Sequence, residues 1–343
     1  MSLKTLLLFL AIGIVSCSNT SHKVGNEVSC HSTEGAANAD RACTESAESR
    51  LKKTKSTTSQ PVKYTDKNGD VAFIPDGFSI SENENEQAVR TGLVVIGTDG
   101  SEYVWVPTTE TKLAVRDFDS YLYGGGIDDY WDDTKQPLYQ SMLKSVRRFG
   151  GFYMGRYEAS YGGGNSLSDY VPASKPVTRS QSGRIWVMFS PQNAAVACQN
   201  IYRDNATVQG FMPWGINWDT TLQWFIDSDS KTRKEVISDS SSWGNYSDDS
   251  FSPNARGNQT GAFERAKANN IYDMAGNNWE WTQERYGSSS YVMRGGGYSI
   301  MGGPCPGSYF PAAIRDPLPG SSHHPNVCFR VALFILEGNQ SAD

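Results

Sequence analysis

Apolar and polar positions fall into short blocks along most of this chain, and the period of those blocks changes from place to place. Val71-Ala72-Phe73-Ile74-Pro75 and Leu93-Val94-Val95-Ile96-Gly97 are compact apolar runs bounded by Asn-Gly and Asp-Gly pairs, the pattern of strands between tight turns. Glu102-Tyr103-Val104-Trp105-Val106-Pro107 follows Asp99-Gly100, so Leu93–Ile96 and Tyr103–Val106 predict a hairpin. Phe152 to Glu158 alternates like a strand, and Ser141 to Phe149 predicts a short helix. Ser190 suits an N-cap, Pro191 the first helical position and the Ala-rich run to Tyr202 a helix body. A further helix fits Asn217 to Asp227, where Trp218, Leu222, Trp224 and Phe225 supply an apolar face. Asp117 to Asp133 is Gly- and Asp-rich and predicts a loop. Ser228 to Gly261 is polar apart from Trp243 and Tyr246 and predicts a long surface loop. No fixed-period repeat is present.

The N-terminus follows other rules. Met1-Ser2-Leu3-Lys4 is a short basic region, and Thr5 to Val15 is an apolar run too short to span a bilayer comfortably, as in a secretory signal. It ends in Ile14-Val15-Ser16-Cys17, which resembles a bacterial lipobox with Ile and Val for the commoner Leu and Ala. Cys17 is then the lipidated first residue of the mature protein. An ordinary signal peptide with Cys17 incidental is the alternative. Ser18 to Gln60 has almost no large apolar residue and cannot offset its chain entropy by burial, so a disordered tether is expected. Cys30 and Cys43 lie in it and can close a small loop in an oxidising compartment. The expected organisation is a leader over 1–17, a tether over 18–60 and one folded domain over 61–338.

Composition narrows the function classes. The 343 residues carry a net charge of -6, which argues against nucleic acid as a partner. Nine Trp, 17 Tyr and 33 Gly suggest a loop-rich fold with an aromatic core. The six Cys contain no Cys-x-x-Cys, and the four His lie in the tether or near the C-terminus, so a zinc site is not expected.

The densest chemistry lies in Asn270-Ile271-Tyr272-Asp273-Met274-Ala275-Gly276-Asn277-Asn278-Trp279-Glu280-Trp281-Thr282, followed by Arg294-Gly295-Gly296-Gly297-Tyr298. In an extended chain Trp279 and Trp281 share one face and Glu280 takes the other. Asp273, Gly276, Asn278 and Glu280 are spaced so that a tight turn can aim two carboxylates and two carbonyls at one point, which makes them candidate calcium ligands. Alternatively, Asp273 and Glu280 cap turns or pair with Arg294.

These blocks, with Tyr153-Met154-Gly155-Arg156-Tyr157-Glu158 before them and Cys328-Phe329-Arg330-Val331 after, resemble formylglycine-generating-enzyme-like (sulfatase-modifying-factor) domains over roughly Leu93 to Leu336. The resemblance implies an α+β, C-type-lectin-like fold of twisted antiparallel strands, two helices and much irregular chain, with calcium at the Asp273, Gly276, Asn278 and Glu280 set. The enzymes of that family carry a copper-binding Cys pair. Here Ile300 stands at the first position and Cys305 at the second, and a single sulfur cannot supply a two-thiolate site. Neighbouring His323 and His324 point apart on a strand and do not replace an iron-binding cluster. No redox cofactor is expected. Cys305 then has the simpler role of a disulfide partner for Cys328.

Tyr298 to Asn326 contains no Lys, Glu, Gln or Trp. Apart from Met301, its residues are those reachable from an AAY codon by changing adenines alone. In this it resembles the variable proteins of diversity-generating retroelements, of the Treponema-type variable lipoprotein class; a loop lacking these residues by chance is the alternative. The resemblance implies a ligand-binding region within 294–335, with candidate contacts at Ser299, Ile300, Cys305, Ser308, Tyr309, Phe310, Ile314, Leu318, Ser321, His323 and His324. Arg294, Arg315 and Arg330 are expected to be frame. The leading expectation is a non-catalytic, lipid-anchored lipoprotein of the bacterial cell envelope, exposed at the surface and binding a protein or glycan. A metal-dependent oxidase and a structural envelope lipoprotein are the alternatives.

Overall fold

The hairpin expected from the Asp99-Gly100 turn is the seed of the larger of two main sheets. In this computed structural model the described residues are 59–113, 118, 126–161, 175–180, 185–246, 259–300, 303–304 and 310–338. The expected leader with Cys17, nearly all of the tether, and Cys305, Ser308 and Tyr309 lie outside them. In chain order the first strands are β1 (Val62–Thr65), β2 (Val71–Ile74), β3 (Ser79–Ile80), β4 (Val94–Ile96), β5 (Glu102–Pro107), β6 (Tyr130–Trp131) and β7 (Gly151–Gly155). Next come the small pair β8 (Ser160–Tyr161) and β9 (Pro176–Val177), then β10 (Val208–Phe211), β11 (Lys267–Ala268) and β12 (Ile271–Tyr272). The C-terminal third adds β13 (Trp279–Tyr286), β14 (Ser290–Arg294), β15 (Ser299–Ile300), β16 (Gly303–Pro304), β17 (Arg315–Pro319), β18 (Val327–Phe329) and β19 (Ala332–Ile335).

The first main sheet runs β10-β19-β7-β5-β4-β3, with Val94 opposite Val104 in the hairpin. It is covered on both faces. Val104, Val106 and Met154 pack into one apolar cluster, whereas Tyr103, Trp105 and Tyr153 pack into the other. Two buried faces remove the need for alternation, and all five residues of β7 are buried. The second main sheet runs β17-β14-β13-β18, with β6 beside the far end of β13. Pairing is antiparallel among the described strands except between β13 and β18.

Among the described residues five α-helices complete an α+β architecture: α1 (Glu110–Leu113), α2 (Pro137–Phe149), α3 (Pro191–Asn200), α4 (Gly215–Asp227) and α5 (Arg233–Ile237). α2 starts four residues before the expected Ser141, because Pro137 presets the first turn, and it stops at Gly150 in the left-handed conformation. α3 begins as expected, with the Asn193 N–H donating to Ser190 Oγ. At the start of α4 the Trp214 side chain caps nothing, and Asn217 Oδ1 accepts only the Trp214 N–H at 3.1 Å. Instead the Gly215 and Ile216 N–H groups each donate to the Asp132 carboxylate at 3.0 Å, so part of the expected Asp117–Asp133 loop supplies a helix anchor.

The reading of 228–261 as a surface loop fails for its described part. Thr232 and Glu235 form a capping box that starts α5. Val236, Ser240, Trp243, Asn245 and Tyr246 are all buried. The two aromatic residues in an otherwise polar run were the signal of that burial.

Candidate functional site

β13 divides its side chains by period two. Trp279 and Trp281 enter the core, with Trp281 Nε1 donating to the Phe189 carbonyl at 3.0 Å and the Trp279 ring edge-on to Phe310 at 5.5 Å. Glu280, Thr282 and Glu284 occupy the opposite side and are fully buried. Each of the two carboxylates meets arginine there.

Asp219 of α4 and Glu284 face Arg294 and Arg315 in a closed four-charge square. Arg294 reaches Asp219 Oδ1 through Nη2 at 2.5 Å and Glu284 Oε2 through Nη1 at 3.2 Å. Arg315 reaches Glu284 Oε1 through Nε at 2.9 Å and bonds Asp219 Oδ2 through Nη2. All four residues are at most 1 % exposed. Burial pushes the Asp219 carboxyl up, but the two guanidinium groups outweigh it and hold the acid below its ordinary range.

Arg294 ends β14 and Arg315 opens β17, and the two are register partners. Residues 295–314 are thus an excursion that leaves and rejoins one ladder at the charge square. Its described backbone is gripped from outside. Trp218 Nε1 donates to the Ala312 carbonyl at 2.9 Å, Tyr246 Oη to the Phe310 carbonyl at 2.8 Å, and the Ala312 N–H to Ser240 Oγ at 3.0 Å. Arg294 itself donates to the carbonyls of Ile314 and Ala313. On the near side, the Gly276 N–H donates to the Gly295 carbonyl and the Tyr298 N–H to the Asn277 carbonyl.

The expected contact residues divide accordingly. Ile314 is a correction: it is 4 % exposed and packs in the core, because it adjoins Arg315 where the chain re-enters the sheet. Phe310 is half-buried on Trp279, and Leu318 is half-buried on β17 opposite Tyr291. Ser321 and His323 are exposed, and half-buried His324 accepts the Asn326 N–H on Nδ1. Ser299 and Ile300 lie on β15, opposite Pro304 and Gly303.

A second buried polar centre lies across β18. Arg330 gives both Glu280 oxygens a hydrogen bond, 2.5 Å from Nη2 to Oε1 and 3.1 Å from Nε to Oε2. Glu158 lies close by, and among the described residues no cation is bonded to it. It accepts the Asn278 N–H at 3.1 Å and the Asn277 side-chain amide, while the Cys328 thiol sits 3.4 Å from Oε1. Burial first, then the charges of Asp273 and Glu280, push the Glu158 carboxyl well above its ordinary range. Burial also raises Asp273 and Glu280, the latter against the pull of Arg330. Three carboxyl groups thus face one guanidinium.

The expected calcium set does not fit this arrangement. Both Glu280 oxygens are taken by Arg330. Asp273 accepts from Asn245 Nδ2, Thr260 Oγ1 and the Gly261 N–H at 2.8–3.1 Å. Asn278 turns its side chain to Glu158. Gly276 has a backbone reason for being glycine, since φ is +80° and an added Cβ would lie 2.5 Å from the Asn245 carbonyl oxygen. Among the described residues, the group whose ligand atoms do lie within 4.8 Å of one another is Glu158, Glu280 and Cys328. The alternative pairing of these acids with Arg294 fails too, because Arg294 is occupied by Asp219 and Glu284. The Cys305–Cys328 disulfide is likewise corrected: Cys328 is a free, fully buried thiol.

Residues 220–335 match the family model described as the sulfatase-modifying factor enzyme 1-like domain. Over those residues the chain is similar to the sulfatase-modifying-factor family, and its described residues form an α+β fold. No curated protein matches the chain in sequence. Among solved structures it is similar to Treponema denticola variable protein 1, at 12% identity and a TM-score of 0.38 over 67% of this chain and 95% of that one. PvdO from Pseudomonas aeruginosa is 13% identical with a TM-score of 0.38, over 70% of this chain and 97% of that one. CarF is 15% identical with a TM-score of 0.35, over 55% and 87%.

Proposed function

We propose that the protein is a ligand-binding lipoprotein, anchored through Cys17 in a bacterial envelope and recognising a protein or glycan through the segment that starts after Arg294. One observation carries the reading. Backbone groups and buried arginines fix the described ends of 295–314, so recognition side chains there carry little of the burden of folding. The absence of Lys, Glu, Gln and Trp from Tyr298 to Asn326 supports diversification of that segment at the codon level. Ile300 in place of a first thiol favours a binding role over copper-dependent oxidation.

The test is substitution in bulk. A library that varies Ser299, Ile300, Ser308, Tyr309, Phe310 and His323 within the AAY-derived residue set is purified, melted and applied to a glycan array and a panel of host surface proteins. Most members are expected to keep a cooperative melt while their binding profiles differ. Loss of folding across most of the library refutes the reading, and so does a stoichiometric, Cys305-dependent copper(I) site. In the genome, a near-copy of the 298–330 coding stretch with adenines at the differing positions is expected near a reverse transcriptase.

A further inference from the structure

Away from the C-terminal segment, a cavity of about 620 Å³ opens where the start of β2, the end of β5 and α4 meet. Small-ligand pockets occupy roughly 300–1,000 Å³, so the space is large enough for a compact organic molecule. α4 contributes Thr220, Gln223, Trp224 and Asp227, at the i, i+3, i+4, i+7 spacing of a single helical stripe. That stripe is separate from Asp219, which is committed to the two arginines of the charge square.

Thr220 is the unusual member. It is 7 % exposed, and its hydroxyl has no hydrogen-bond partner among the described residues. The adjacent Thr221 shows the ordinary solution for a helical threonine, donating back to the Asn217 carbonyl at 2.8 Å. A buried hydroxyl left unpaired is costly, and a wall position gives a ligand the opportunity to satisfy it. Two other polar side chains of the wall are already engaged. Ser228 Oγ donates to the Trp224 carbonyl, and Gln223 Nε2 donates to Asp227 Oδ1.

The charges indicate what kind of molecule fits. Asp70, Arg90, Lys112 and Asp227 line the cavity and sum to zero, and Lys112 lies 3.5 Å from Asp227. An inorganic ion of either sign would meet as many repelling groups as attracting ones. Val89 and Trp224 supply buried apolar surface, and the Trp224 indole N–H is spent on the Arg90 carbonyl at 3.0 Å. A purely apolar guest would bury that surface but leave Thr220 unpaired and strip water from four charged groups. A ring with C–H faces and hydroxyl edges satisfies both demands.

We infer that this cavity is a second binding site, separate from the C-terminal segment, for a neutral polyhydroxylated ligand of monosaccharide to disaccharide size. The test uses the full chain and saturation-transfer NMR with glucose, galactose, N-acetylglucosamine, maltose, lactose and trehalose. Glucose 6-phosphate and glucosamine serve as charged counterparts. At least one neutral sugar is expected to bind saturably. Thr220→Val, isosteric but without the hydroxyl, is expected to weaken it about five- to tenfold, as for one lost hydrogen bond. Gln223→Trp, at a half-exposed position, is expected to abolish it by filling the space, with Thr109→Trp at the exposed rim as its substitute if that variant does not fold. Ser321→Ala with His323→Ala is expected to leave it unchanged. The inference is overturned if no neutral sugar binds, if binding persists unaltered in both cavity variants, if the charged counterparts bind more tightly, or if only the Ser321/His323 variant loses it.

Discussion

The charge square of Asp219, Glu284, Arg294 and Arg315 predicts a strongly non-additive pair of mutations. Asp219→Asn leaves two guanidinium groups against one carboxylate in a site at most 1 % exposed. Arg315→Met leaves two carboxylates against one guanidinium. Removing one partner from a buried ion pair costs about 3–5 kcal/mol, because the survivor is charged and dry. For a domain of this size each kilocalorie moves the melting temperature by roughly 2–4 °C, so each single variant is expected to melt about 10–15 °C lower. The double variant keeps Arg294 opposite Glu284 at 3.2 Å, a neutral remainder. It is expected to cost about as much as one single variant, which gives a coupling of roughly 3–5 kcal/mol. The Phe118 carbonyl that accepts from Arg315 Nη1 loses that donor in both Arg315 backgrounds and cancels from the cycle. Urea unfolding of the four proteins measures this directly, read as shifts in midpoint at constant slope. Raising the salt concentration is expected to leave the coupling unchanged, since buried pairs are poorly screened. If the two single costs add to within about 0.5 kcal/mol in the double variant, the square is not a unit and the anchoring of 295–314 needs another cause.

Two further outcomes follow from the polar centre around Glu158. The folded state raises this carboxyl above its unfolded value of about 4.3, so its contribution to stability is fully present below that pH and is lost as pH rises towards the folded value. Glu158→Gln removes that titration. Melting temperatures from pH 4 to pH 8 are expected to fall less steeply in the variant than in the parent, and parallel curves would refute the assignment. Gly276→Ala places a Cβ 2.5 Å from the Asn245 carbonyl oxygen at a φ of +80°, and is expected to cost about 2–4 kcal/mol in urea unfolding. A loss under about 0.5 kcal/mol would mean that the turn holding the Trp-Glu-Trp strand moves freely.

The legible parts of the sequence were those governed by local chemistry. The Asp-Gly hairpin, the Ser190-Pro191 helix start and the period-two split of Trp279, Glu280 and Trp281 need only their own neighbours. Partners of the buried charges were not legible, because Glu280 meets Arg330 and Asp219 meets Arg294 across long chain separations that no spacing encodes. Glu158 shows the limit well. It stood inside a recognised block, yet nothing local announces a carboxyl buried without a cation. Ile314 was misplaced for a related reason, since composition marks a segment as a whole and cannot show which of its residues turn inward beside Arg315. Glu284 had a local signal: it lies on the same face as Glu280 four residues earlier, the face opposite the two buried Trp.

The register pairing of Arg294 with Arg315 has a consequence for length as well as for side-chain identity. Once both ends of a loop are fixed, closing it costs free energy that grows only with the logarithm of its length, about 0.6 kcal/mol for each doubling. The interactions that fix the ends here, at about 3–5 kcal/mol for a single broken charge pair, are several times larger. Residues inserted between 295 and 314 would therefore cost the fold little, so that under the proposed binding role a change of length would reshape the recognition surface as exchange of side chains does.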